Sequence, residues 1–388
     1  MKDTSNFRTK TSYIEKLNGK RVDGKWLIAL DLGYSAVKVF STNAIGRFPS
    51  YAKRVNGDFQ YVSDAPKNSI IYKDLNTGAT WLVGEKAQDI MNDLDTSDSE
   101  ATLYGRDRYF SPIFKIITAV GLAMGMRNND VACRNSSDEI IVQTGLPQRY
   151  MNDEADIIES IAGKYDFAVK FGNSDYEEYH FTIASNNVYV MSQPKGTLFS
   201  VVSNDMGIPT ADAVNFLSSS VIIFDAGFGT LDLFPILSQV VQPGETYEDL
   251  GMKRVLQETT NDISKEYGIN IPVPAMQKYL ETGKVKSYDK KTFTSSEHSF
   301  GDILASASEK ICKEAIMRMS DALRLDEYKY LIITGGTGAA WYEQIKSTLS
   351  GLETLTVVNA KPSSDLQLVF CNVRGYYNRR LGQLIAAA

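Results

Sequence analysis

Histidine is almost absent from this chain, with His180 and His298 as its two copies, and its three cysteines, Cys133, Cys312 and Cys371, lie far apart with no C-x-x-C. That scarcity excludes Cys/His zinc sites and a disulfide framework, and it leads us to expect a reduced, cytoplasmic setting. No run approaches the ~18 uninterrupted apolar residues that crossing a bilayer requires, so no membrane partner is expected. The first residues, MKDTSNFRTKTSYIEKLNGKRVDGK, lack the apolar core of a signal peptide and read as a polar, partly flexible leader over 1–25. Basic charge is short as well: 41 Lys and Arg against 47 Asp and Glu leave a net charge of −6, which argues against direct nucleic-acid binding.

What is present suffices for a large core. At 388 residues the chain exceeds the roughly 250–300 at which single cores stop growing, so two domains are expected. The stretch that organises them is Val221–Phe234, VIIFDAGFGTLDLF. An apolar, β-branched run enters Asp225, glycines follow at Gly227 and Gly229, and apolar residues resume at Leu231, which spells strand, tight turn, strand. Glycines at such a turn let backbone N–H groups approach a phosphate while the carboxylate faces a cation on it.

The same pattern occurs 194 residues earlier, where Trp26–Leu30 leads into Asp31-Leu32-Gly33-Tyr34-Ser35 and Val37–Phe40 resumes the strand. Aligning Asp31 with Asp225 aligns Gly33 with Gly227, Tyr34 with Phe228 and Ser35 with Gly229. A third signal is the strand Tyr328–Thr334 stopping at Gly335-Gly336-Thr337-Gly338 before a helix over 339–349, an arrangement that brings a helix N-terminus to a nucleotide.

Between these motifs the patterns predict a strand near 47–55, a hairpin over 70–83, a short helix over 84–91, an acidic surface loop over 92–100 and a buried helix over 109–126. A strand over 139–147, a helix over 153–164, strands at 167–171, 179–183 and 188–191 and a helix-like stretch running to Val202 follow. Helices are expected over 250–267 and 303–325, with 268–300 as an inserted subdomain. The alternation indicates an α/β fold of layered sheets.

The order of two D-x-G hairpins and the G-G-T-G turn resembles the actin, Hsp70 and sugar-kinase superfamily of ATPases. Trp81-Leu-Val-Gly84, Thr144-Gly-Leu-Pro147, Gln193-Pro-Lys-Gly196, Gly251-Met252 and Val369–Tyr377 are similar to ParM-type plasmid-segregation actins. The resemblance implies the actin-like ATPase fold: two similar domains of mixed sheets flanked by helices around a nucleotide cleft, with 1–218 and 375–388 forming domain I and 219–374 domain II. It implies ATP, or GTP, with Mg2+ held through water by Asp31 and Asp225. Lys38, the turn Gly33-Tyr34-Ser35 and the turn Gly227-Phe228-Gly229-Thr230 would hold the phosphates, although the sequence leaves open whether Tyr34 meets nucleotide or sheet. Gly335, Gly336 and Thr337 would face the adenosine, Gln193 would orient the attacking water, and Asp232 would be a second water-facing residue. Adenine contacts are expected from the helices around Glu258 and 303–325. The function implied is an ATP-hydrolysing filament that segregates plasmid DNA through a DNA-binding adaptor. The alternative is a monomeric small-molecule kinase of the same superfamily, to which Asp232 could lend a catalytic base.

Overall fold

The computed structural model describes residues 3–16, 22–55, 59, 61–91, 105–127, 138–361 and 366–387; the acidic run 92–100 lies outside them. Apolar runs fully buried on both faces make the central strands, as expected for sheets covered by helices on each side. The first sheet has six strands in the order Ser12–Glu15, Ala44–Pro49, Ala36–Ser41, Lys25–Leu32, Glu139–Leu146, Val188–Ser192. The last three run parallel and the others antiparallel.

One face of that sheet receives the helix Pro112–Met126, which starts cleanly because Pro112 fits its first turn and Ser111 Oγ accepts the Phe114 N–H. Gly125 lets this helix press on Ile28, since a Cβ there would lie 2.8 Å from Ile28 Cγ2. The opposite face receives the C-terminal helix Cys371–Ala387, whose Tyr376 and Tyr377 share a core with Leu27, Ala29 and Phe40.

The second half repeats the plan. Its sheet runs Val240–Val241, Leu231–Leu237, Val221–Ala226, Tyr330–Thr334, Thr356–Asn359, with Glu245–Tyr247 pairing beside Leu231–Leu237. Helices Met252–Tyr267, Gly301–Ala322 and Gly336–Thr348 contribute to the core on one face, and residues of Gln193–Val202 and Ala213–Leu217 to the core on the other. Two outer elements complete the molecule: a five-stranded sheet built from 52–55, 70–74, 80–83, 163–171 and 177–183, and a hairpin of Lys284–Asp289 with Thr294–Ser299.

Several boundaries differ from the sequence reading. The strand expected near 47–55 is two strands in two different sheets, because the chain turns at Ser50, where Ser50 Oγ donates to Gly33 O. The helix over 153–164 ends at Ile161, and Gly163, at φ +128°, opens a strand continuing to Phe171. The leader is an element: Ser12–Glu15 pairs antiparallel with Ala44–Pro49 as an edge strand. The C-terminal helix begins at Cys371, so a border drawn between 374 and 375 falls inside it.

Candidate functional site

Both hairpins form as read. In the first, Asp31 is opposite Lys38 in the ladder, and Lys38 Nζ lies 2.9 Å from Asp31 Oδ2. Gly33 is obligatory: a Cβ would come within 2.9 Å of both Ala36 O and Lys38 Nζ. In the second, Asp225 is opposite Asp232, and Gly227 N–H donates to Thr230 O across the turn. The third motif closes the same space. Gly335 adopts φ +83°, where a Cβ would sit 2.2 Å from Ala226 O, and Thr337 Oγ1 donates to Gly227 O at 2.6 Å.

All three turns open on one cleft of about 630 Å³, a size that holds a nucleotide-sized ligand. Of the residues singled out in the sequence, Asp31, Gly33, Tyr34, Ser35, Lys38, Gln193, Asp225, Gly227, Phe228, Gly229, Thr230, Gly335, Gly336 and Thr337 line it. Gln193 is the first residue of its helix and donates from Nε2 to Asp31 Oδ1 at 3.3 Å, which ties the water-orienting candidate to the first carboxylate. Tyr34 lines the cleft and crosses to the other hairpin, where a Cβ on Gly229 would lie 2.6 Å from its ring.

Asp232 is the departure. It is 1% exposed, does not line the cleft, and accepts from Thr246 Oγ1 at 2.5 Å, Thr230 Oγ1 at 3.1 Å and Gln148 N at 3.3 Å. Its geometry is that of a buried brace for the second turn rather than a water-facing group. The adenine expectation also shifts: the lining includes Met252, Asn359, Lys361 and Leu368, and no residue of 303–325. Glu258 is instead tied to Arg254 at 2.8 Å and Lys310 at 3.5 Å.

Burial, then the negative charge of Asp232, pushes Asp225 up to about 7, with the Asn372 hydrogen bond acting the other way. Burial likewise raises Asp232 to about 6, against its three hydrogen bonds. A divalent cation suits this donor set. Asp31 and Asp225 offer hard oxygens from opposite lobes, and among the described residues no group of three or more His, Cys, Asp or Glu could hold a metal ion.

Three features escaped the sequence. Asn372 Nδ2 donates to Asp225 Oδ2 at 2.6 Å; it stands in the Val369–Tyr377 stretch that carried the resemblance, without a role. Arg108 reaches the back of the first turn, donating to Leu32 O and to Gly33 O at 3.2 Å, with its guanidinium 4.2 Å from the Tyr34 ring. No carboxylate of the described residues forms an ion pair with it. The leader crosses the cleft mouth: Ser5 to Lys10 line the cavity, and Arg8 joins Asp89 at 2.7 Å to Glu281 at 3.4 Å. No local pattern marks these residues, because their partners are up to 273 positions away. His180, by contrast, is surface-exposed, 2.6 Å from Asp166, and does not line the cleft.

Two sheet-centred halves with matching phosphate-type hairpins facing a shared cleft define the actin-like fold. Residues 29–196 match the model of the actin-like proteins N-terminal domain, and the chain as a whole has the actin-like fold. A non-polymerisable quadruple mutant of pCBH ParM superposes with TM-score 0.69 at 20% identity, over 92% of this chain and 99% of that one. A 15-stranded ParM filament from Clostridium botulinum gives 0.65 at 19% identity, over 92% and 99%. An archaeal actin homologue in complex with ADP gives 0.60 at 16%, over 91% and 98%. No curated protein matches the sequence. No helix among the described residues is long and apolar enough to cross a membrane.

Proposed function

We propose that this chain binds ATP with Mg2+, polymerises in that state and hydrolyses the nucleotide, acting in the cytoplasm to move plasmid DNA apart through a DNA-binding adaptor. The observation that carries the nucleotide chemistry is the convergence of both D-x-G turns, the Gly335–Thr337 turn and Gln193 on one cleft. The filament part is supported by similarity to the botulinum ParM filament, and the plasmid and adaptor part by the ParM resemblance alone.

Backbone N–H groups of residues 33–35 and 228–230 would cradle the phosphates, and Lys38, already beside Asp31, would add charge to them. When bound, Mg2+ supplies neutralisation of charge on the phosphoryl oxygens, with Asp31 and Asp225 holding its waters from the two lobes. Gln193 is not basic enough to take a proton outright. Its part is to fix the attacking water by its carbonyl oxygen while Asp31 holds its amide.

Light scattering and pelleting of the purified protein with Mg-ATP, Mg-ADP or no nucleotide, together with phosphate release, test this reading. Scattering that rises with ATP and decays as phosphate appears is the expected outcome. Gln193→Ala should lower phosphate release on the order of a hundredfold and prolong the plateau. Absence of scattering at all concentrations, with turnover only when a small hydroxylated acceptor is added, would replace the filament by a kinase; parallel runs with GTP establish base preference.

A further inference from the structure

The C-terminal helix does something that its place against the first sheet does not require. Its first residue, Cys371, packs with Ile223, Phe234 and Ile332 of the second half, whereas Val373, Tyr376 and Tyr377 belong to the core of the first. Between them, Asn372 is 7% exposed and reaches the floor of the cleft. Its Nδ2 donates to Asp225 Oδ2 at 2.6 Å, and its Oδ1 accepts from Thr197 Oγ1. The carboxylate fixes the amide orientation: an ionised Asp225 only accepts, so the nitrogen faces it, and the rotatable Thr197 hydroxyl then donates to the remaining amide oxygen.

Thr197 lies one helical turn beyond Gln193 on the same helix, and Gln193 holds Asp31. One short helix therefore holds both cleft carboxylates, Asp31 directly and Asp225 through Asn372. The crossing that permits this is made by two glycines. A Cβ on Gly375 would sit 1.7 Å from Gly196 O, and one on Gly196 would sit 2.8 Å from Asn372 O, so the two helices meet backbone to backbone. Asp225 Oδ2 is thereby occupied, while Oδ1 lies on the side of Gly335, near the adenosine turn.

We propose that Asn372 is a positioning residue for Asp225: with Thr197 it locks one carboxylate oxygen so that the other is presented to the hydrated cation on the nucleotide. This rests on the nucleotide reading above and adds to it a residue outside the three motifs. A carboxylate free to rotate would meet the cation's water in several orientations, whereas one held by a buried amide meets it in one. Groups that orient ligands to a metal from behind typically cost ten- to a hundredfold in metal affinity when removed.

The test is equilibrium binding of a fluorescent ribose-labelled ATP to the full-length chain, titrated with Mg2+ and repeated in EDTA. Asn372→Leu should raise the Mg2+ concentration for half-maximal tightening about tenfold or more, with affinity in EDTA within about twofold of wild type. Thr197→Val, nearly isosteric and safe for folding, should shift it in the same direction by less, and Thr197→Ser should restore it. The double variant should shift no further than Asn372→Leu alone, because both act through one bonded path. Unchanged Mg2+ dependence in Asn372→Leu and Thr197→Val, additive shifts, or an equal loss of affinity in EDTA would overturn the proposal. Wild-type protein that binds the labelled ATP with or without Mg2+ to no measurable extent would overturn the nucleotide reading itself, and this inference with it.

Discussion

Asp31 and Asp225 occupy matching turns in opposite electrostatic surroundings, because the residue seven positions on is Lys38 in one hairpin and Asp232 in the other. Asp31 is ion-paired with Lys38, whereas burial, then the like charge of Asp232, pushes Asp225 up to about 7. A carboxyl raised in the fold binds its proton more tightly there than in the unfolded chain, where its value is 3.8. The nucleotide-free fold therefore binds more protons than the unfolded chain through that window, and stability falls as pH rises from about 4 to about 7. Asp225→Asn should flatten this decline, with melting temperatures at about pH 5 and pH 8 differing less than in wild type by on the order of 5 °C. Arg108 makes a separate prediction. It supports the carbonyls behind the first phosphate turn, so Arg108→Ala should weaken ATP binding about tenfold by isothermal titration, with Arg108→Lys intermediate since a single ammonium reproduces the fork poorly.

At the scale of elements, the leader is the segment whose role changed most between sequence and structure. Thr4 Oγ1 donates to Leu280 O, Thr9 N–H to Gln277 Oε1 and Thr11 N–H to Glu85, so the segment before Ser12 is bonded to both outer lobes. Arg8 is the strongest stitch, with its side chain 7% exposed between Asp89 and Glu281. Opening the cleft must break these bonds. Arg8→Ala should speed release of labelled ADP in a stopped-flow chase by about fivefold, a figure held down by solvent screening of the half-exposed Glu281. An unchanged release rate would show that the leader rides on one lobe only.

For the whole molecule, assembly needs surface that the monomer leaves uncovered. The hairpin 284–299 is one such surface, open to the assembly proposed above: Phe293 is 81% exposed and Tyr288 59%. Single exposed apolar residues are ordinary, so charging one of these two tests directly the proposal that they make a longitudinal contact in the proposed filament. Phe293→Asp should raise the concentration at which Mg-ATP pelleting begins about tenfold, with labelled-ATP binding by the monomer unaltered. Assembly at the wild-type concentration would remove this hairpin from the interface.

The sequence by itself determined the repeated strand–turn–strand units, the glycine turn before the helix Gly336–Thr348 and the residues of these units that line the cleft. Those depend on backbone geometry within a few residues: Gly335 must be glycine because of its φ, and the turns after Asp31 and Asp225 each hold a glycine, Gly33 and Gly229, at which a Cβ would clash. Gln193 was legible for the same reason, standing at the end of a strand and the start of a helix. Tertiary structure alone decided that Asp232 faces inward onto Thr230 and Thr246, that Arg108 backs the first turn, that the leader spans the cleft and that Asn372 reaches Asp225 across 147 positions. Side-chain direction and partner identity at such separations are set by how sheets and helices pack, and packing leaves no periodic mark at the positions it brings together.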